Sequence, residues 1–232
     1  MPPLRRRIAV LTGAGISAES GLATFRAADG LWERHRIEDV ATPEAFQRDP
    51  ALVHRFYNAR RAAAAAAQPN PAHFALARLA QVHDLVLITQ NVDDLHERAG
   101  SPDVIHMHGA LTRALCAACG HRWPAPAVMA SDDPCPACTT PATRPDIVWF
   151  GEIPQQMDTI WQALQDCEAF AAIGTSGQVW PAAGFAQHAA RMGAECVELN
   201  LEASAVARDF DHHITGPASQ TVPAWVDDLT GS

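Results

Sequence analysis

The sequence predicts an α/β fold with a mostly parallel sheet and a smaller second region formed by two insertions. Short apolar runs of β-forming residues alternate along the chain with helical patterns, and such alternation is typical of a parallel sheet covered by helices on both faces. Two segments break the alternation. The predicted strands are Ile8–Thr12, Leu85–Thr89, Val104–Met107, Ile147–Phe150, Ala169–Ile173 and Cys196–Leu201.

Helical patterns lie between these runs. Residues 43–67 have the pattern of a helix that is interrupted near Pro50, because proline removes a backbone donor and clashes with the preceding turn. Further helices are predicted over residues 72–82, 157–167 and 182–193.

The two segments that break the alternation define the second region. Residues 31–71 are helical without strands, and residues 112–144 are rich in Cys, Pro and Ala with little periodicity. We therefore expect the sheet domain to consist of residues 1–30, 72–111 and 145–232. A cleft between two such regions is a preferred ligand site.

The charge balance and the apolar segments restrict the partners. Lys and Arg number 17 against 26 Asp and Glu, a net charge of −9 at pH 7, so non-specific attraction to nucleic acid or to an anionic membrane is not expected. The first apolar run follows three arginines but is too short for a signal peptide. No window approaches the roughly 18 apolar residues of a transmembrane helix. We expect a soluble cytoplasmic protein.

A glycine-rich turn follows the first predicted strand. Residues 13–18, "GAGISA", have the G-x-G-x-x-G/A form of a dinucleotide-binding loop. Its glycines let the backbone approach a pyrophosphate, and the next helix offers unpaired N–H groups. The motif alone is a weak signal, and an ordinary turn between a strand and a helix is the alternative interpretation.

The segment after this turn departs from the dehydrogenase pattern. A dehydrogenase would continue to a second strand that ends in an acidic residue about 20 positions on, whereas this chain continues as a loop. The loop carries Phe25, Arg26 and Trp32, which could cover a ring or hold a phosphate. A ribose must then be bound from elsewhere, and Asn200 and Glu202 at the end of the last predicted strand are candidates.

Four of the six cysteines form two Cys-x-x-Cys pairs, Cys116 with Cys119 and Cys135 with Cys138. Each pair can supply two tetrahedral ligands from one turn, so the spacing predicts a four-thiolate zinc site. Four thiolates leave no open coordination position, and we therefore expect a structural ion. A nucleic-acid-binding zinc ribbon is the alternative, but the few arginines of this module are offset by two aspartates.

Several motifs, taken in chain order, together resemble one enzyme family. They are "GAGISAESG", "FRAADGLW", "TQNVDDLHERAG", "HMHG", the paired cysteines, "VWFGE", "IGTSGQVWPAAGF", "ELNLE" and "GPASQ". They resemble the motifs of the sirtuins, NAD-dependent protein-lysine deacylases, and most of all those of the bacterial CobB-type members. The resemblance implies a Rossmann-like NAD-binding domain, a smaller module of zinc and helices, and a cleft where NAD and acyl-lysine meet.

The resemblance also implies the reaction. NAD is consumed as a co-substrate, and the products are nicotinamide, free lysine and an O-acyl-ADP-ribose. An amide oxygen is a poor nucleophile and needs a strong leaving group, which a cationic nicotinamide provides. A base must then activate a ribose hydroxyl, and a histidine suits this task because it titrates near neutral pH. The implied partners are acyl-lysine-bearing proteins, and we expect a monomer.

The resemblance assigns the NAD contacts to the glycine turn, to the loop after it and to four later motifs. They are Gly13, Ala14, Gly15 and Ser17; Phe25, Arg26 and Trp32; Gln90, Asn91 and Asp93; Gly174, Thr175 and Ser176; Asn200, Leu201 and Glu202; and Ala218. Asp93 would bond the nicotinamide carboxamide. The departures, Ala23 where many members have proline and Val92 where isoleucine is usual, remove no polar group.

The "HMHG" motif offers two candidate bases. His106 and His108 are two positions apart on a predicted strand, so both would point to the same face. The family pattern places the base directly before glycine, so His108 is the predicted base. Asn91 of the "TQNVD" motif is the second predicted catalytic residue. His106 is expected to have a structural role or to help shape the site.

Tyr57 and Arg60 lie three positions apart and would share one helical face. A phenol beside a guanidinium can hold a carboxylate, although spacing alone favours a solvated helix face. The resemblance to the Tyr-x-x-Arg pattern of desuccinylating sirtuins implies that succinyl- and malonyl-lysine are used as well as acetyl-lysine. Ala41 would enlarge the acyl pocket.

The peptide is expected to lie extended between "VWFGE" and "SGQVW", with Val148, Phe150 and Gly151 as contacts and backbone pairing as the main interaction. Three other functions compete with this hypothesis. They are an NAD dehydrogenase that returns the cofactor, a non-catalytic module that binds NAD or ADP-ribose, and a zinc-dependent deacetylase.

Overall fold

A computed structural model describes residues 5–24, 31–32 and 35–231, without the side chains of residues 31 and 32. The strands are β1 (Arg7–Thr12), β2 (Leu31–Trp32), β3 (His35–Arg36), β4 (Asp84–Thr89), β5 (Ile105–His106), β6 (Gly109–Cys116), β7 (Arg122–Pro124), β8 (Thr143–Ile147), β9 (Ala169–Ile173), β10 (Glu195–Asn200) and β11 (His212–Thr215). The α-helices are α1 (Gly15–Ala18), α2 (Ile37–Val40), α3 (Pro43–Arg48), α4 (Pro50–Ala66), α5 (Pro71–Val82), α6 (Leu95–Arg98), α7 (Met157–Asp166), α8 (Phe185–Arg191) and α9 (Ala218–Thr230). A membrane-crossing helix, which must be long and apolar, is not found in the described ranges.

The predicted parallel sheet is confirmed. Six strands follow the order β11-β10-β9-β1-β4-β5, and every neighbouring pair is parallel. The chain passes from β1 to β4 and β5 on one side, and β9, β10 and β11 continue on the other side. The strand order therefore reverses between β1 and β9. Ligands of open α/β sheets bind outside the carboxyl ends of the strands at such a point.

Both faces of this sheet are buried, which explains why β1 is an uninterrupted apolar run. Side chains alternate along a strand, so Leu11 packs into one apolar cluster with Phe170 and Phe185, while Val10 packs into another with Leu76. Helices α7 and α8 cover the first face, and α5 and α9 cover the second.

A second, antiparallel sheet has the order β7-β6-β8. Helices α2 to α4 pack against it through a cluster that includes Val53, Leu111 and Trp149. The predicted interruption near Pro50 is confirmed: α3 ends at Arg48, and the side chain of Asp49 caps the start of α4 by accepting a bond from Leu52 N. Proline is tolerated in the first turn of a helix because its missing donor has no partner there.

Three strand predictions are wrong. Residues 147–150 do not form a strand of the parallel sheet; β8 ends at Ile147 and pairs with β6, and the apolar side chains that follow fill the cluster beside α4. Residues 31–71 are not free of strands, since β2 pairs with β3. The cysteine-rich segment also has more regular structure than expected, because β6, β7 and β8 enclose it.

Two elements had no clear sequence signal. Strand β11 is short and polar, with the sequence HHIT, and helix α9 contains Pro223 in its interior. Both complete the parallel-sheet domain, β11 by pairing with β10 and α9 by packing against α5. The division of the chain into a sheet domain and a second region of residues 31–71 and 112–144 stays a prediction.

Candidate active site

A cleft of about 640 Å³ lies at the carboxyl ends of β1, β4, β9 and β10. From the parallel sheet it is lined by residues 13–15, 17, 90–93, 174–176 and 200–202. The helices beside the antiparallel sheet contribute Ala41, Tyr57 and Arg60, the chain from the end of β8 contributes residues 147–152, and His108 also lines the cleft. The predicted NAD contacts and the predicted acyl contacts therefore share one cleft, with four exceptions.

Phe25 and Arg26 lie outside the described residues, as does the side chain of Trp32. Ala218 begins α9 and packs against the apolar cluster on the α5 side of the sheet; it is not among the lining residues. Several residues that line the cleft had no individual role in the sequence analysis, although some belong to the two segments expected to hold the peptide. They are Leu22, Ala23, Thr24, Val92, Ile147, Trp149, Glu152, Pro154, Gln178, Val179, Trp180, Ala203, Ser204 and Ala205.

The glycines of the first turn are explained by contact with the turn after β9. A Cβ on Gly13 would lie 2.7 Å from the carbonyl oxygen of Gly174, and one on Gly15 would lie 2.6 Å from its Cα. Gly174 itself has φ +62° and accepts a bond from Gly15 N at 2.8 Å. Only glycine permits this approach of two backbones.

The expectation that α1 offers a row of unpaired amides is wrong. The helix has four residues, and the N–H groups of Gly15, Ile16 and Ser17 already donate to carbonyl oxygens of Gly174, Gly13 and Ala14. These three N–H groups are therefore not available to a pyrophosphate in this arrangement.

Three polar side chains below the glycine turn form a buried network. Asn91 Nδ2 donates to Gly13 O and to Ser17 Oγ, each at 3.2 Å, and Ser17 Oγ donates to Asp93 Oδ2 at 3.2 Å. Burial raises the pKa of Asp93, although bonds from Leu95 N and Ser17 favour the carboxylate. Buried polar groups that satisfy one another hold a fixed geometry.

A pair of buried histidines lies beneath this network, and sequence analysis did not identify either. His73 and His96 have ring centroids 4.9 Å apart. His73 Nε2 is 3.5 Å from Ser17 Oγ, and His96 Nε2 is 3.0 Å from Thr12 Oγ1. Burial lowers the pKa of His73 to about 4 and that of His96 well below its usual value, so both are neutral at neutral pH.

His108 is the histidine that lines the cleft. Its Nδ1 lies 3.1 Å from the carbonyl oxygen of Gln90. A carbonyl can only accept, so Nδ1 carries the hydrogen and Nε2 of the neutral ring keeps a lone pair. Burial lowers the pKa of His108 despite that bond, so the neutral form prevails at neutral pH.

The next residue explains the glycine in "HMHG". Gly109 has φ +79°, and a Cβ there would overlap the carbonyl oxygen of Asp146 in β8. Any other residue at this position would displace the backbone that carries His108.

The prediction that His106 and His108 share one face is wrong. Strand β5 ends at His106, and Met107 and His108 form a turn. His106 is 2% exposed, and its ring contacts Asn91 O and Glu97 instead of the cleft.

The carboxyl ends of three strands are tied together. Gln90 Nε2 donates to Thr175 Oγ1 at 3.0 Å, and Asn200 Nδ2 donates to Thr175 O at 2.8 Å. These bonds fix the loops after β4, β9 and β10 relative to one another. The polar part of the cleft is therefore held together by hydrogen bonds within the protein.

The predicted acyl contacts lie directly after α2, on α4 and on the chain after β8. Tyr57 is 1% exposed and accepts a bond from Trp149 Nε1 at 3.1 Å, and burial raises the pKa of this phenol. Arg60 also lines the cleft, with its Cζ 5.9 Å from the ring centroid of Phe56. Ala41 is buried, and its carbonyl accepts a bond from Phe150 N at 3.0 Å.

Trp149 is held by a cation and an acid that sequence analysis did not assign. The Arg144 guanidinium lies 3.5 Å from the ring centroid of Trp149 and donates to both carboxylate oxygens of Glu152 at 2.8 and 2.9 Å. Trp149 N donates to the same carboxylate. This stack fixes the indole that bonds Tyr57.

The four paired cysteines meet as predicted, with their sulfur atoms all within 4.8 Å of one another. Cys116 Sγ lies 3.7 Å from Cys138 Sγ, and Cys119 Sγ lies 3.8 Å from Cys135 Sγ. Four sulfurs around zinc at about 2.3 Å would be about 3.8 Å apart. The cluster therefore fits a tetrahedral zinc ion, without a histidine.

The model of the Sir2 family matches residues 13–181 of this chain. The NAD-dependent protein deacylase of Escherichia coli strain K12 is 55% identical over 228 residues, which cover 96% of this chain and 82% of the relative. The protein of that name from Salmonella typhimurium is 54% identical over 95% of this chain and 83% of its own length.

Solved structures agree with this match. A Sir2 homologue in complex with NAD has a TM-score of 0.87 and 38% identity, and the alignment covers 96% of this chain and 88% of that one. A mutant Sir2 homologue in complex with 2′-O-acetyl-ADP-ribose has the same TM-score at 37% identity, with 96% and 91% covered. The protein described here is a member of the Sir2 family.

Proposed function

We propose that this protein is an NAD-dependent protein-lysine deacylase that removes acetyl groups and also succinyl and malonyl groups. The observation that carries the proposal is the composition of one cleft. The polar carboxyl edge of the sheet, a neutral histidine and the Tyr57–Arg60 pair all line it. Its volume of about 640 Å³ lies within the range of ligand pockets.

The sheet side is proposed to bind NAD, which supplies an electrophilic anomeric carbon and a nicotinamide leaving group. Residues 13–15 would lie against the pyrophosphate, and residues 174–176 and 200–202 against the adenosine side. Asn91 and Asp93 would hold the nicotinamide end, where the Asp93 carboxyl can accept from a carboxamide N–H. Their buried bonds to Ser17 support this role, because they orient both side chains in advance.

His108 is proposed to be the general base. Its Nδ1–H donates to Gln90 O, which leaves the Nε2 lone pair to accept a proton from a ribose hydroxyl. The lowered pKa keeps this nitrogen unprotonated at neutral pH. The ring thus has the tautomer and the charge state that the role requires.

The second region is proposed to bind the acyl group. Trp149 donates to the Tyr57 hydroxyl, so the phenolic hydrogen can point elsewhere and donate to a carboxylate. Arg60, one helical turn away, would supply the positive charge. A negatively charged acyl chain is therefore favoured, while the small Ala41 side chain leaves room for it.

The peptide is proposed to bind along residues 148–151. The N–H groups of Val148 and Phe150 already donate to His108 O and Ala41 O, so a bound strand would have to pair with other backbone groups of this segment. Phe150 and Trp180, which are 45% and 74% exposed, offer apolar contacts at the rim of the cleft.

The experiment is incubation with NAD and matched acetyl-, succinyl- and malonyl-lysine peptides, followed by mass spectrometry of all products. Nicotinamide, the free-lysine peptide and an O-acyl-ADP-ribose should form in equal amounts. NADH without release of nicotinamide would favour a dehydrogenase. Deacylation without NAD would favour a zinc hydrolase. Binding of NAD without any product would favour a non-catalytic module.

A further inference from the structure

His106 makes two hydrogen bonds inside the protein. Its Nδ1 lies 3.1 Å from the carbonyl oxygen of Asn91, and its Nε2 lies 2.6 Å from Glu97 Oε1. The side chain of His106 is 2% exposed, whereas that of Glu97 is 42% exposed. One ring thus connects α6 to the backbone of the loop that carries Asn91 and Asp93.

Both partners of this ring can only accept. A backbone carbonyl has no hydrogen to donate, and an ionised carboxylate has none either. A neutral imidazole has a single N–H and could satisfy only one of them. Both bonds form together only when both ring nitrogens carry hydrogen, and the short contact to Glu97 is typical of a charge-assisted bond.

Glu97 is 42% exposed, so water also stabilises its carboxylate form. Burial raises the pKa of this carboxyl, but the hydrogen bond and charge of His106, a backbone hydrogen bond and the charge of Arg113 together outweigh the burial, and the net pKa is lowered. The alternative, a protonated Glu97 that donates to a neutral ring, would need the opposite shift.

The Asn91 carbonyl belongs to a residue whose other groups are also fixed. Asn91 N donates to Thr89 Oγ1, and its side-chain amide donates to Gly13 O and Ser17 Oγ. The bond from His106 Nδ1 completes this set. Together these bonds restrain the backbone and the side chain of Asn91, which lines the cleft.

Three other ionisable groups interact with His106 and Glu97, and each comes from a different element. His96 belongs to α6, Asp93 to the loop after β4, and Arg113 to β6. The charge of His106 favours the carboxylate of Asp93, and the charge of Arg113 favours that of Glu97. His96 is neutral because of its burial, so it adds no second positive charge beside His106.

From these contacts we infer that His106 and Glu97 form an ion pair, with the imidazole buried and the carboxylate at the surface, that positions Asn91 beside Asp93 for the reaction at His108. The inference deepens the proposed function and rests on it, since Asn91 and Asp93 are assigned there to the nicotinamide end of NAD. His106 is a positioning residue, because it acts through Asn91 and Asp93 and does not line the cleft.

The first test reads the ion pair without any measurement of activity. In the ¹⁵N-labelled wild-type protein, the ring nitrogens of His106 are observed by NMR at pH 7 and assigned by their disappearance in His106→Gln. The ion pair requires that both nitrogens carry hydrogen. A neutral ring with one protonated nitrogen would overturn the inference, whether or not the protein deacylates.

The second test is the pH profile of kcat/KM for NAD with an acetyl-lysine peptide. His106→Gln removes the imidazole, and Glu97→Gln removes the carboxylate that accepts the hydrogen bond from its Nε2. Each should lower kcat/KM roughly tenfold and move the acidic limb to higher pH, because Asp93 loses the charge that favours its ionised form. A contact that serves only packing would lower the rate at every pH without moving the limb.

Glu195→Gln is the matched control, because Glu195 forms an exposed pair with His212 at 3.3 Å, away from the cleft. It should leave both the rate and the limb unchanged. If the two inner variants behave like this control, the inference fails. If the wild type shows no NAD-dependent deacylation, the proposed function fails while the NMR result still decides the ion pair.

Discussion

The two sides of the cleft differ in the structural elements and contacts that form them. On the sheet side, buried polar groups bond one another at the ends of parallel strands, as in Gln90 with Thr175 and Ser17 with Asp93. On the other side, a helix and an aromatic stack present Tyr57 and Arg60, and a cysteine cluster lies in the sheet that supports them. On the sheet side, the positions of the polar groups depend on how the parallel strands are arranged. In the second region, a side chain such as Arg60 can be replaced without altering that arrangement. Substitutions on the two sides should therefore differ in which acyl groups they affect.

Removal of zinc should have the largest effect. A structural zinc site contributes of the order of 10 kcal/mol to the folding of a small module, so a strong chelator, or Cys116→Ser, should disorder residues 109–147. Activity on every acyl group should be lost with the bound metal. Metal content by mass spectrometry and amide hydrogen exchange in this segment measure the two events, and retained exchange protection after complete zinc loss would contradict the structural role.

His108→Gln should have the next largest effect. Loss of a general base typically lowers a rate by about 10²- to 10⁴-fold, and kcat for acetyl- and succinyl-lysine should fall by the same factor, because the base acts on NAD and not on the acyl chain. The unfolding temperature serves as the control and should change little. Unequal losses for the two acyl groups would mean that His108 contacts the acyl chain.

Arg60→Met should affect one substrate. The variant should lower kcat/KM for succinyl-lysine by roughly 10- to 100-fold, since a charge-assisted bond to the carboxylate is lost. The value for acetyl-lysine should stay within about twofold. Arg55→Met, an exposed position on the same helix, controls for the loss of positive charge. Equal losses on both substrates would contradict a clamp for the carboxylate.

Acid should destabilise the sheet side. The folded chain holds His73 neutral until a pKa of about 4, because this ring is buried, whereas the unfolded chain binds a proton near the ordinary value of about 6.5. Protons therefore favour the unfolded state, and the contribution of His73 is complete above about pH 6.5 and is lost as the pH falls toward 4. The free energy of unfolding should fall by about 2 kcal/mol from this group between pH 7 and pH 5. Urea unfolding at a series of pH values measures it, and a flat profile would contradict the buried neutral state.

The sequence predicted the parts of the fold whose signals are local. Strand β9 has the predicted bounds, because a run of five apolar residues buried on both faces has few alternatives. The cysteine spacing predicted the cluster, since four ligands in two turns define a tetrahedron. The strand predicted over residues 147–150 is wrong because a short apolar run has the same sequence pattern in a strand and in an apolar cluster under a helix.

The family motifs predicted which residues line the site, but they did not predict how those residues are arranged. The pattern of the family located His108, Tyr57 and Arg60, and all three line the cleft. The separate position of His106 depends on a turn after β5 that alternation along a strand does not reveal. The tautomer of His108, likewise, depends on a carbonyl 18 positions earlier in the chain.

The central claim is that the sheet side performs the reaction and the second region selects the acyl group. The most direct measurement is a competition in which acetyl- and succinyl-lysine peptides share one reaction with NAD, with product ratios read by mass spectrometry. We expect His108→Gln to slow both reactions and leave the succinyl-to-acetyl ratio of the wild type unchanged, and Arg60→Met to shift that ratio strongly toward acetyl. A ratio that changes in His108→Gln, or stays constant in Arg60→Met, would contradict the claim.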